Sequence, residues 1–174
     1  MRYFKDEKRN GSYIWSVFVM AVMMLSISAT GAVVPSTEAE QRLQLKPGWN
    51  LVTLTRPLDS MSGNIDLFLK LKPIEFDVKS NTYKFCSRPE DIKVGVGYWI
   101  FCKESKKESF SLDNTQTVVQ PTLKAGWNLV GMTDGATWPQ SAEVIWEWKN
   151  GRFEVVKDTK LLEKGKGYWA FINK

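Results

Sequence analysis

Two glycine-rich stretches have residue types that do chemistry elsewhere. Gly95-Val96-Gly97 and Gly165-Lys166-Gly167, the second beside Lys164, have the composition of a loop that cradles a phosphate. Such a loop needs a strand before its glycines and a helix N-terminus after them. Here Tyr98-Trp99-Ile100-Phe101 and Tyr168-Trp169-Ala170-Phe171 follow, which are strands by composition. The glycines are therefore read as a tight turn into a strand. Other chemistry is narrowed by composition. With no His in the chain, no Ser-His-Asp or Cys-His arrangement exists. Two Cys cannot complete a zinc site, and Thr133-Asp134-Gly135 lacks further oxygen ligands at calcium-loop spacing. A carboxylate-based hydrolase is the enzymatic alternative, but Asp77 and Glu147 read as solvated strand positions. The expectation is a non-enzyme with no cofactor and no metal.

The glycines belong to a larger pattern. Leu45-Lys46-Pro47-Gly48-Trp49-Asn50-Leu51-Val52 returns as Leu123-Lys124-Ala125-Gly126-Trp127-Asn128-Leu129-Val130, and Gly95-Val96-Gly97-Tyr98-Trp99 returns as Gly165-Lys166-Gly167-Tyr168-Trp169. Residues 76–99 align without a gap on 146–169 at an offset of 70, while Trp49 and Trp127 are 78 apart. The second copy is thus 8 residues shorter, before its hairpin. Pro47-Gly48 suits the centre of a type II turn. Leu51 and Val52 point to opposite faces and are both apolar, which predicts a strand covered on both sides. Asn50 and Asn128 then sit where Asn is disfavoured, and their amides need partners. Backbone groups of a neighbouring turn are the expected partners, with a ligand contact as the alternative. Trp49, Trp99, Trp127 and Trp169, with both Asn, are expected to form the core of the repeat.

These motifs resemble a repeat found in secreted and cell-surface bacterial and archaeal proteins. There it often sits beside adhesion-like or carbohydrate-active modules and generally has no defined activity. The resemblance spans about residues 43–174. It implies a surface or secreted setting and leaves open whether the unit acts alone or in an assembly.

The elements that must carry these motifs follow along the chain. Residues 1–32 read as a signal peptide: Arg2, Lys5, Lys8 and Arg9 in front, an uncharged apolar run over 13–27, then Ser28-Ala29-Thr30-Gly31-Ala32. An uncleaved anchor is the alternative, because 13–34 is long enough to span a bilayer. Without residues 1–31 the chain carries 20 basic and 17 acidic side chains, a net of +3, which is no nucleic-acid footprint. Residues 33–44 read as a flexible lead-in, 45–114 as repeat 1 and 115–174 as repeat 2. Each repeat is expected to hold one short helix, over 65–71 and over 139–145. Asn150-Gly151, between alternating runs, is a strong hairpin signal; Ser80-Asn81 takes its place in repeat 1. A further hairpin is expected over 98–112. The fold class is mainly β: two tandem repeats packed into one sandwich- or barrel-like body.

Cys86 and Cys102 align with Val156 and Ile172, so both are expected to face a core. In an exported chain a disulfide between them is reasonable, with two buried thiols as the alternative. Trp138 has no obvious counterpart in the first repeat and is the candidate ligand-binding residue, set against a ring that folds over the short helix. The functional expectation is an exported, non-catalytic interaction or structural module, periplasmic, secreted or at the cell surface. Its partner is an extracellular protein or a glycan, and it touches a membrane only through an uncleaved N-terminal segment. A carbohydrate-binding module using exposed aromatics is the alternative.

Overall fold

The computed structural model describes residues 40–113, 115, 119–138 and 141–173. The signal reading of 1–32 and the first part of the lead-in lie outside the described residues. The protein is mainly β. Strands β1 (Glu40–Leu45), β2 (Gly48–Thr53), β3 (Ile74–Asp77), β4 (Thr82–Phe85), β5 (Gly97–Cys102) and β6 (Lys106–Ser111) come first, with helix α1 (Asn64–Leu69) between β2 and β3. Strands β7 (Gly126–Gly131), β8 (Ala142–Lys149), β9 (Arg152–Val155) and β10 (Gly167–Ile172) follow.

Two four-stranded antiparallel sheets have the same order: β2-β5-β3-β4 and β7-β10-β8-β9. The local cause is shared. Gly48 and Gly126 hold φ of 90° and 92°, the left-handed value that the third position of a type II turn requires. The following Asn closes that turn. Asn50 Oδ1 accepts from Lys46 N–H at 2.9 Å, and its Nδ2 donates to Lys46 O at 2.8 Å and Gly48 O at 3.1 Å. Asn128 repeats the set on Lys124 and Gly126, at 2.9, 2.7 and 2.9 Å. The Tyr of each Gly-x-Gly-Tyr-Trp motif pins the loop before it: the Tyr98 hydroxyl accepts from Lys93 N–H at 2.6 Å, and the Tyr168 hydroxyl from Glu163 N–H at 2.7 Å.

The two sheets cross at the glycines. Thr53 N–H donates to Gly165 O, and Gly131 N–H to Gly95 O, both at 3.0 Å. A Cβ on Gly97 would lie 2.8 Å from Leu129 Cγ, and one on Gly167 would lie 2.8 Å from Leu51 Cγ. The second glycine of each motif therefore exists because the opposite sheet occupies the side-chain space.

Away from the opposite sheet, β5 packs Tyr98, Ile100 and Cys102 against Phe68 of α1 and Phe110 of β6, in the main apolar core. Facing the opposite sheet, Leu51, Trp99 and Leu129 form a second cluster with Ile74, Phe76, Trp148 and Trp169.

Four expectations change. Residues 40–44 of the lead-in are strand β1, with Leu43 and Leu45 buried and Gln41 Nε2 donating to Thr53 O at 2.7 Å. The hairpin expected over 98–112 does not close: β6 pairs with β1 instead. The second repeat has no helix over 141–145; β8 starts at Ala142, because the last residues of β10 draw it into the ladder through a bulge at Phe171 and Ile172. Pro139 and Gln140 of that expected helix lie outside the described residues. Cys86 and Cys102 are both buried and unbonded. Cys86 follows β4, donating its N–H to Pro73 O across β3, whereas Cys102 ends β5 opposite Gly48. The two thiols thus lie on strand lines separated by β3, as small apolar groups in one core.

The gapless alignment also fails in one place. Trp99 pairs with Ile74, but Trp169 pairs with Trp146. Phe76 pairs with Tyr83, and Trp148 with Phe153. Ile74 therefore corresponds to Trp146 and Phe76 to Trp148, two residues from the sequence alignment. The turn causes the shift: residues 78–81 join β3 to β4, whereas Asn150 and Gly151 alone join β8 to β9.

Candidate functional site: an uncharged aromatic face

Trp49 and Trp127 are not core residues. They are 46 % and 41 % exposed, while Trp99 is buried and Trp169 half-buried. The reason is their place in the strand. Trp49 and Trp127 are the second residues of their strands, each three residues before the crossing point at Val52 and Val130, where the sheets are held together; at the strand starts the sheets leave room. Hydrophobic alternation assigns a residue to a face but does not say where along that face the other sheet stops covering it.

The uncovered part forms two hollows. One, of about 400 Å³, is lined by Trp49, Ile74, Tyr83, Trp99, Trp148 and Phe153. The other, of about 370 Å³, is lined by Trp127, Trp146, Phe153, Trp169, Phe76 and Tyr83, with Asn81 at its edge. In the corrected register each lining ring has its counterpart in the other hollow. The ring spacings agree: Trp49–Trp99 is 6.2 Å and Trp127–Trp169 6.0 Å; Trp49–Phe101 is 5.2 Å and Trp127–Phe171 5.1 Å. Trp148 lies 5.2 Å from Trp99, and Phe76 4.7 Å from Trp169.

The hollows differ in one bond. Trp148 Nε1–H donates across the sheets to Trp49 O at 2.9 Å. Phe76, in the corresponding place, has no donor to offer Trp127 O. The indole N–H of Trp146 is buried and meets no acceptor among the described residues.

Among the described residues no charged side chain lines either hollow. Alternation places the charges of these strands on the opposite faces, as with Glu75, whose carboxylate meets Lys84 at 2.7 Å and Lys93 at 3.8 Å. A larger cavity, of about 510 Å³, lies on that polar side, between the loop before β5 and the segment before β7. Its carboxylates are committed. Glu75 holds the two lysines, and Asp77 accepts from Lys79 N–H and the Ser80 hydroxyl, at 2.9 and 3.0 Å. Those two bonds, the amide first, hold the Asp77 carboxyl below its ordinary value. Asp77 acts as a turn brace. Burial, and then the nearby Glu75 and Asp91 carboxylates, push the Cys86 thiol up to about 12, so it is a poor nucleophile at neutral pH.

Trp138, the residue singled out for ligand contact, is half-buried with its ring edge-on to Tyr168 at 6.0 Å and its N–H buried. It lies outside both hollows. Reading the sequence with the two-residue turn taken into account would have grouped Tyr83 and Phe153 with the tryptophans. Among the described residues no group of three or more His, Cys, Asp or Glu is placed to hold a metal ion. No family model, curated protein or solved structure matches the chain.

Proposed function

We propose that the chain is an exported, non-catalytic interaction or structural module, and that the aromatic hollows are where it binds. The observation that carries this is the exposure of Trp49 and Trp127 in a lining without charge. Large rings left uncovered at the mouth of a rigid sandwich are typical anchors of a recognition surface. The occupied state of Glu75 and Asp77 supports the non-catalytic half of the reading. The test places a photoreactive phenylalanine analogue at Trp127, with a second at Lys157 as the control, in the protein's own host. An adduct from position 127 alone is expected; equal or no adducts from both positions would remove the binding face. The exported half is tested by the intact mass of the protein recovered outside the cytoplasm, which should match cleavage near Ala32.

A carbohydrate-binding reading is favoured by one feature: Trp49 and Trp127 are each exposed beside a second ring. Against it, the rings of both hollows meet at interplanar angles from 64° to 89°, so they form no flat stacking platform. Retardation in gels containing neutral polysaccharides, lost in Trp49→Ala and Trp127→Ala, would reinstate it.

A further inference from the structure

Strands β4 and β9 end their sheets. All four residues of β4 are exposed, as are Arg152, Phe153 and Val155 of β9. Which way their backbones point follows from two bonds: Cys86 N–H donates to Pro73 O, and Val156 N–H to Ile145 O, both at 2.9 Å. Cys86 and Val156 thus face the neighbouring strand. Antiparallel alternation then turns the N–H and C=O groups of Tyr83, Phe85, Phe153 and Val155 outward. The same four residues carry the exposed apolar side chains. Both edges therefore offer main chain without a partner among the described residues, and apolar side chains at the same positions. Natural edges are blunted by very short strands, charged side chains, Pro or a bulge, and both of these strands are four residues long. Here there is no Pro or bulge in either strand, and the charges are already paired: Lys84 with Glu75, and Arg152 with Glu154 at 2.8 Å.

We infer that these edges bind each other between copies, β4 of one chain pairing antiparallel with β9 of a second copy. The choice of partner rests on charge. With Tyr83 opposite the second copy's Val155, Phe85 meets Phe153 and Lys84 meets Glu154. The equivalent pairing of β4 with β4 sets Lys84 against Lys84, and that of β9 with β9 sets Glu154 against Glu154. Like charges directly opposite are destabilising in a ladder, and opposite charges stabilise it. Each chain has one edge of each kind, so the contact is head-to-tail and leaves a free β4 at one end and a free β9 at the other. Such a contact extends into a chain unless a rotation closes it into a ring. The inference rests on the reading as an interaction module and names its partner.

The test is geometric and uses the full chain, oxidised where it accumulates. Residues directly opposite in a ladder lie close enough for a disulfide. Tyr83→Cys with Val155→Cys in one chain should give a ladder of multimers on a non-reducing gel. Each single variant should give none, and the two singles mixed should give dimers only. Glu154→Lys in the double-cysteine chain should lower the multimer yield several-fold at low salt. A double variant that stays monomeric overturns the inference, as do dimers from Tyr83→Cys with Phe85→Cys, or from Phe153→Cys with Val155→Cys, which keep the charges and would mean like edges pair. Photo-adducts at position 127 in a chain that gives no ladder would leave the module reading standing and remove only this one.

Discussion

The two sheets agree on the faces they turn to each other and differ on the faces they turn away. On the inner faces, ring after ring has a counterpart within a few tenths of an ångström. On the outer faces, the first sheet is covered by α1 and the β1–β6 ribbon, and every residue of the main core belongs to that half. Over the second sheet, Trp138 lies on Tyr168, and no α-helix is present among the described residues. The inner face must keep its residues, because each sheet is the other's template. The outer face needs only to be covered, and each half is free to cover it differently.

The largest break in this comparison should come from Phe68, which is fully buried between Tyr98 and Phe110. Phe68→Ala should cost about 3–5 kcal/mol in urea unfolding, and Trp138→Ala, over the second sheet, distinctly less. The crossing point comes next. A Cβ on Gly131 would lie 2.2 Å from Thr53 Cβ, and Thr53 is Gly131's own counterpart in the first repeat. Only one side chain fits between them. Gly131→Ala should cost about 3 kcal/mol, and exchanging the pair, Thr53→Gly with Gly131→Thr, should recover most of a comparable loss in thermal unfolding.

The turn asparagines should differ in degree. Asn128 is 2 % exposed and Asn50 half-buried. Asn128→Ala should lose about 2–3 kcal/mol and Asn50→Ala about 1 kcal/mol, since water reaches the groups left behind at Asn50. The cross-sheet bond is smaller still. Trp148→Phe should cost about 1 kcal/mol, and Phe76→Trp should gain a similar amount by supplying Trp127 O with a donor.

Alkali gives the mildest contrast. Burial raises Cys86 from 9.0 and Tyr168 from 10.0, each to about 12, and it also raises Tyr98 and Cys102. The folded chain keeps protons that the unfolded chain loses. Stability is therefore full below about pH 9 and declines as pH rises towards about 12. Three of the four groups lie in the first repeat. Cys86→Val, copying Val156, should flatten the fall of the urea midpoint above about pH 9.

Much of this was legible in the residues. Gly48 and Gly126 announced a turn, Asn150-Gly151 a two-residue hairpin, and Asn50 and Asn128 a backbone partner. The misreadings have physical causes. Ser80-Asn81 looked like an equal of Asn150-Gly151, but the first turn is two residues longer, so Phe76 was matched to Trp146 and the kinship of Phe76 with Trp148 was hidden. Trp49 and Trp127 looked like core because strand periodicity carries no information on how far the facing sheet extends. The segment over 139–145 looked helical because β10's demand for a ladder partner at Ala142 is a long-range fact. Tyr83 and Phe153, walls of both hollows, looked like ordinary strand residues. Their alternation with Lys84 and Glu154 was the available signal.

The crossed bonds at the glycines also set a timetable. The last residue of β2, Thr53, is held by Gly165, and Trp49 by Trp148, which lies 99 residues further along the chain. A chain emerging from its N-terminus presents β2 long before either partner exists. Its first sheet can pair within itself, but its aromatic face stays open until the second sheet arrives. Contacts of such long sequence separation make folding slow, and completion of the body belongs to the end of synthesis.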